Sequence, residues 1–183
     1  LGVPLFLLFG GRKLQRLARH KGRIRPHLNG AGNVKSSTTA LPAVHTMTAA
    51  GACEPVGGNA ITLLVTGEDA FTELEARIRG AQHSIHIMTF ILARDETGKR
   101  IIRLLAERAR AGVKVRLLLD ALGCLFSSHG FVEPLRQAGG EIVRFMPVIP
   151  LSPRGSANLR NHRKIMVFDH HTAMIGGHNL ARE

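Results

Sequence analysis

The residues best able to do chemistry lie in one stretch near the end of the 183-residue chain, Asn161-His-Arg-Lys-Ile-Met-Val-Phe-Asp-His-His-Thr-Ala-Met-Ile-Gly-Gly-His-Asn179. Residues two apart on a strand point to one face, so His162 and Lys164 would stand together. The segment predicts a hairpin of Lys164–Phe168 with Thr172–Gly176. Closing it with Phe168 opposite Thr172 sets Lys164 opposite Gly176 and His162 opposite His178. Gly176, Gly177 and Asn179 then lie beside the imidazole and the ammonium. Imidazole is a nucleophile, a cation and an amide stabilise oxygen charge, and glycine lets a bulky group approach the backbone. Together they suit phosphoryl transfer. Asp169 falls at the far end of the hairpin, five residues beyond Lys164, which at strand rise is roughly 17 Å. It is expected to fix the turn or pair with a base elsewhere.

Other candidates are less specific. His170, His171 and His178 resemble a metal cluster in composition, but no acid or thiol has ligand spacing to them, so no metal and no cofactor is expected. Asp120 ends a strand, at the edge where open α/β sheets place ligands; packing or capping explains it equally well. Cys53 and Cys124 are too few and too far apart for a disulfide framework or a zinc site, and read as reduced thiols.

The elements that must position the site alternate between strand and helix. Ile61–Val65 reads as a short buried strand. Thr66-Gly-Glu-Asp69 forms a capping box ahead of a helix whose apolar face is Phe71, Leu74, Ile78 and Ala81. Ser84–Leu92 is apolar on both faces, as a central strand is. Gly98–Ala111 is a second helix stopped at Gly112, followed by strand Val113–Asp120. Phe131–Ala138 is a short helix and Glu141–Met146 another strand. This order predicts an α/β layer fold, a mainly parallel sheet with helices on both faces.

Charge is unevenly spread. The formal net charge is +12, yet residues 1–53 hold eight Lys or Arg and no acid. Such an arm serves anionic lipid or nucleic acid alike. The opening run Leu1–Phe9 is too short to cross a bilayer, which takes about 20 apolar residues. With its basic residues following it, it reads as the end of a membrane anchor whose beginning is missing, and the basic run Arg12–Arg25 then faces the cytosol. An amphipathic or disordered tail is the alternative. Residues 28–58, rich in Gly, Ser, Thr, Ala and Asn, read as a linker.

The segment 162–179 resembles the phospholipase D signature H-x-K-x4-D-x6-G-(G/S)-x-N at His162, Lys164, Asp169, Gly176, Gly177 and Asn179. Thr89-Phe-Ile-Leu92, Ala109–Asp120 and Leu159–Lys164 look like bacterial cardiolipin synthase, as does the opening Leu1–Lys13. One departure is His170-His171, where relatives often have a short Asp-Gly-like turn. The resemblance implies a phospholipase D-like layered fold over 59–183, one half of a two-half enzyme, behind residues 1–27 as anchor end and basic juxtamembrane segment. It implies a bacterial inner-membrane phosphatidyltransferase with its catalytic part in the cytosol. His162 would attack phosphatidylglycerol to form a phosphatidyl-histidine, and a second phosphatidylglycerol would take the phosphatidyl group to give cardiolipin. Lys164 and Asn179 would hold the phosphate oxygens without a metal.

Members of this family pair two such signatures, and this sequence has one. The chain is therefore expected to be the N-terminal half of a longer enzyme, inactive alone. The acid that orients His162 is expected in the missing half, with Glu183 a weak candidate. Two other readings stand beside this one. The first is a phospholipase D-type phosphodiesterase or nuclease that completes its site by homodimerisation. The second is an inactive half-domain that binds phosphate or an anionic membrane surface. The membrane-anchor-like start weighs against the nuclease.

Overall fold

The computed structural model describes residues 42–52, 57–125, 129–145 and 160–182. The chain divides into two units, Leu1–Leu63 and Leu64–Glu183. Residues 1–41, including the apolar opening and its basic run, lie outside the described residues. In the first unit, helix α1 (Pro42–Ala49) falls within the stretch read as linker and buries none of its residues. Pro42 suits the first helical position, where its missing N–H is not needed. The Thr46 and Thr48 hydroxyls donate back to the carbonyls of Pro42 and Val44.

The second unit holds helices α2 (Gly67–Gly80), α3 (Glu96–Arg110) and α4 (His129–Gln137). Its strands are β1 (Ser84–Thr89), β2 (Lys114–Asp120), β3 (Glu141–Phe145), β4 (Lys164–Phe168) and β5 (Thr172–Gly176). The strands form one sheet in the order β3-β2-β1-β4-β5. The α/β class is as expected, and β1, β2 and β3 are parallel. The hairpin strand β4 joins β1 antiparallel, with Ile85 opposite Phe168 and Met88 opposite Ile165. Strands β4 and β5 pair in the register argued from sequence, Phe168 opposite Thr172 and Lys164 opposite Gly176.

Local chemistry explains the helix ends. Thr66 caps α2, its hydroxyl oxygen accepting from the Asp69 N–H at 3.1 Å, which satisfies an amide the helix itself leaves unpaired. Asp95 caps α3 by accepting from Gly98 N–H at 2.9 Å. That cap starts the helix two residues earlier than the apolar stripe alone indicated.

The core lies on one face of the sheet. Ile85, Ile87, Val115, Leu117, Leu119 and Phe168 pack there against Leu74 and Ile78 of α2, Ile101 and Leu105 of α3, and Val132 and Leu135 of α4. Burying each such side chain contributes about 1.5–3 kcal/mol. On the other face Met88, Leu118, Ile165 and Val167 line a groove of about 400 Å³. Helices were expected on both faces, but among the described residues the helical cover is one-sided. The β1-α3-β2 and β2-α4-β3 crossovers run in the same direction across the sheet, and right-handed crossovers then put both helices on the same side.

One expected element is corrected. Ile61–Val65 is not a buried strand: it has no regular structure, and Ile61, Leu63 and Val65 are 94%, 83% and 79% exposed. A strand needs a ladder partner for its backbone groups. None of the described strands pairs with it.

Candidate active site

The parallel strands β1 and β2 end, and the antiparallel β4 begins, at the same edge of the sheet. Lys164 opens β4 on the core side and is only 4% exposed. Two residues earlier, His162 lies outside the ladder with its ring exposed. As the two-residue period requires, the side chains meet: Lys164 Nζ is 3.2 Å from His162 Nε2 and 3.4 Å from Nδ1, and donates to the His162 carbonyl at 3.3 Å. Among the described residues no carboxylate pairs with this ammonium. A buried cation beside an open imidazole can receive an anion whose central atom the imidazole attacks.

Phe90, just past β1, stands against both groups. Its ring centroid is 4.7 Å from that of His162, and Lys164 Nζ stands 5.7 Å from it on the ring's face. The residues after β5 are pinned to the same loop. Leu180 N–H donates to Ile91 carbonyl at 3.0 Å and Ala93 N–H to Leu180 carbonyl at 2.9 Å. Asn179 is thereby held at this edge, and its Oδ1 is buried with no partner among the described groups. A buried acceptor without a donor is costly, and a ligand donor would relieve it. At Gly176 and Gly177 an added Cβ would meet no atom within 4 Å, so packing does not demand glycine there and the space beside both is open.

Asp120 ends β2 fully buried. Its Oδ2 accepts from Asn161 N–H at 3.0 Å, while Oδ1 accepts from Leu122 and Gly123 N–H at 2.9 and 3.1 Å and meets the Arg160 guanidinium at 3.3 Å. Burial pushes its carboxyl pKa up, but the amides of Asn161, Gly123 and Leu122, then Arg160, outweigh it and hold the group below the usual value. Cys124 is buried, with Sγ donating to Phe90 carbonyl and accepting from Leu92 N–H, both at 3.3 Å. Burial raises its pKa, which makes it an inert thiol.

Asp169 stands apart, at the opposite edge. It accepts from the N–H groups of Gln82, His83 and Ser84 at 2.8, 2.7 and 2.8 Å. These amides hold its carboxyl at about 2. Its own N–H donates to the Ser84 carbonyl, and both Asp169 and His170 have positive φ, 50° and 64°. Of the two partners anticipated for it, the turn and a base, the turn is the one found: the carboxylate ties the β4–β5 turn to the start of β1.

A model of the cardiolipin synthase, PLD-like domain family matches residues 74–183. The chain belongs to that family. Cardiolipin synthase of Geobacillus kaustophilus is 40% identical over 121 residues, 66% of this chain and 24% of its own length. Cardiolipin synthase A of Pseudomonas aeruginosa (strain LESB58) is 38% identical over 128 residues, 70% of this chain and 26% of its own. The chain thus spans about a quarter of the length of these curated relatives. A solved polyphosphate kinase from Porphyromonas gingivalis aligns at 20% identity and a TM-score of 0.43, over 63% of this chain and 19% of its own, a likeness too slight to bear on function.

The PLD-like match contains every residue singled out for chemistry. The structure brings His162 and Lys164 into contact and sets Asp169 at the other edge. Glu183, suggested as an orienting acid, lies outside the described residues. Sequence reasoning did not find Phe90 as the neighbour of His162, since an aromatic at a strand end carries no spacing signal. Asp120 was noticed for its place on the sheet edge, but its grip on Asn161, 41 residues away, has no sequence signature.

Proposed function

We propose that the chain is the first half of a phosphatidyltransferase that makes cardiolipin from two phosphatidylglycerol molecules. The observation that carries this reading is the buried Lys164 ammonium within 3.2 Å of the His162 imidazole and with no described carboxylate beside it. A phosphodiester anion placed there would have its charge met by Lys164 and, through the amide, Asn179. One ring nitrogen of His162 attacks phosphorus, the phosphorus–oxygen bond to the headgroup glycerol breaks, and glycerol leaves after taking a proton from an acid in the other half. The primary hydroxyl of a second phosphatidylglycerol then gives its proton to the group that protonated glycerol and attacks phosphorus. The phosphorus–nitrogen bond breaks, and cardiolipin and free His162 result. Cationic side chains supply the charge stabilisation often given to Mg²⁺. The open space at Gly176 and Gly177 is where the phosphate would approach the backbone.

The other half carries the second signature in this reading, and Asp169 serves the hairpin rather than the reaction. Residues 1–27 end a membrane anchor and its basic flank, residues 28–58 are a linker and 59–183 are the catalytic half-domain. The enzyme works at the bacterial inner membrane with this half in the cytosol. Among the described residues no helix is long and apolar enough to cross a membrane.

Incubation with radiolabelled phosphatidylglycerol tests the reading. The full-length gene product should form labelled cardiolipin and free glycerol, with an acid-labile, base-stable label on His162 during turnover. The 183-residue chain alone should form no cardiolipin. Turnover by a monomer of this chain would overturn the two-half mechanism, and turnover by a dimer that cleaves DNA instead of lipid would favour the nuclease.

A further inference from the structure

His162 precedes the sheet. Strand β4 begins at Lys164, so no ladder bond holds the backbone that carries the imidazole. Asp120 supplies the missing anchor. Its Oδ2 takes the N–H of Asn161, the residue immediately before His162, at 3.0 Å. Its Oδ1 takes the N–H groups of Leu122 and Gly123, which begin the turn after β2. That turn in turn packs on Phe90. A Cβ at Gly123 would collide with the Phe90 carbonyl oxygen, and Cys124 Sγ bonds the same carbonyl. One buried carboxylate therefore registers two flanks of His162, the peptide ahead of it and the loop carrying the ring against it.

We propose that Asp120 is a positioning residue for His162: by holding Asn161 and the 121–124 turn together it sets the imidazole between Lys164 and Phe90. The residue type fits the task. Three amides and a guanidinium present donors to this site, and an ionised carboxylate has about four acceptor positions and no donor of its own. An asparagine there would turn an NH₂ group toward an N–H group, leaving one buried amide without an acceptor. Arg160, at 3.3 Å, is the most distant of the four donors.

The proposal rests on His162 as the attacking group only where activity is measured. Its first test needs no chemistry. In the full chain with labelled histidine and phenylalanine, the nuclear Overhauser contact between the His162 and Phe90 rings should be strong. It should be lost in Asp120→Asn, while the core contact between Ile85 and Phe168 persists. Arg160→Gln should retain the ring contact. Should Asp120→Asn fail to fold, Asn161→Pro removes the amide that Asp120 accepts, together with the Asn161 side chain that accepts from Arg163 N–H. It is expected to lose the same contact, while Asn161→Ala, which keeps the amide, retains it. A folded Asp120→Asn or Asn161→Pro variant that keeps the ring contact overturns the proposal. In the full-length gene product, Asp120→Asn should lower kcat about ten- to a hundredfold with KM nearly unchanged, the scale expected for a misplaced reacting group. Loss of the ring contact with an unchanged rate would leave the positioning role standing and defeat His162 as the nucleophile.

Discussion

Lys164 combines a full charge with 4% exposure, and its stem fills the core side of the sheet while its head meets His162. Replacing it by methionine keeps most of the stem's packing and deletes the charge. In the full-length gene product we expect Lys164→Met to lower phosphatidyl transfer about a hundredfold or more, the usual loss for one charge-stabilising contact. His162→Ala should abolish transfer and any covalent label, because in the proposed reaction its imidazole forms the bond to phosphorus. Asp169→Asn should act differently. Its carboxylate accepts three backbone amides at the opposite edge. Yield and folding stability should fall, while the rate per folded molecule stays near that of the parent. Comparing specific activity with the fraction folded by circular dichroism separates the two effects.

At the scale of elements, the site is a junction of loops at one sheet edge, and its glycines divide into two kinds. Gly123 is tight against the Phe90 carbonyl, whereas a side chain at Gly176 would meet nothing. Gly123→Ala should destabilise the chain by about 1–3 kcal/mol, the usual range for overpacking, read as a lower denaturation midpoint in urea. Gly176→Ala should leave stability within about 0.5 kcal/mol of the parent, yet lower lipid turnover, since the space it fills is the one assigned to the phosphate. An unchanged turnover in Gly176→Ala would remove that glycine from the substrate site. The β4–β5 hairpin was legible in sequence to the residue, because closing Phe168 on Thr172 across a short turn fixes every later pair down to Lys164 and Gly176. The segment Ile61–Val65 is also a short apolar run, but it has no partner among the described strands. An apolar run suggests a strand but does not provide its neighbour.

For the whole molecule, acid sensitivity follows from the buried and tethered carboxyls. Asp169 is held at about 2 by three amides, below the roughly 3.9 of an unfolded aspartate. The folded state thus takes up this proton later than the unfolded chain. The stability it contributes is complete above about pH 4 and is lost as pH falls through about 2. Asp120 is shifted in the same direction and adds to the same loss. Urea midpoints measured from neutral pH downward should drop in this window, and less steeply in Asp169→Asn. An equal slope in the variant would show that Asp169 is not the titrating group. The basic arm belongs to this scale as well. Seven Lys or Arg and no acid in residues 1–25 should make the full chain sediment with anionic vesicles and not with neutral ones, and neutralising those residues should weaken it. Binding to both vesicle types alike would remove the electrostatic part.

What the sequence by itself determined is the chemistry within short range. The two-residue strand period put His162 and Lys164 on one face, and chain length put Asp169 out of reach of them. The capping box at Thr66 and the order of strands and helices after it follow from the same local rules. Tertiary structure decided what lies across the chain. Phe90 against His162, Leu180 bonded beside Ile91, and Asp120 holding Asn161 each join residues tens of positions apart. Tertiary structure also decided where the expected hairpin docks: β4 joins β1 antiparallel, beside the parallel centre of the sheet. Such pairings depend on which loops meet at one sheet edge, and the physical reason they escape the sequence is that a donor and its acceptor need share no spacing when folding brings them together.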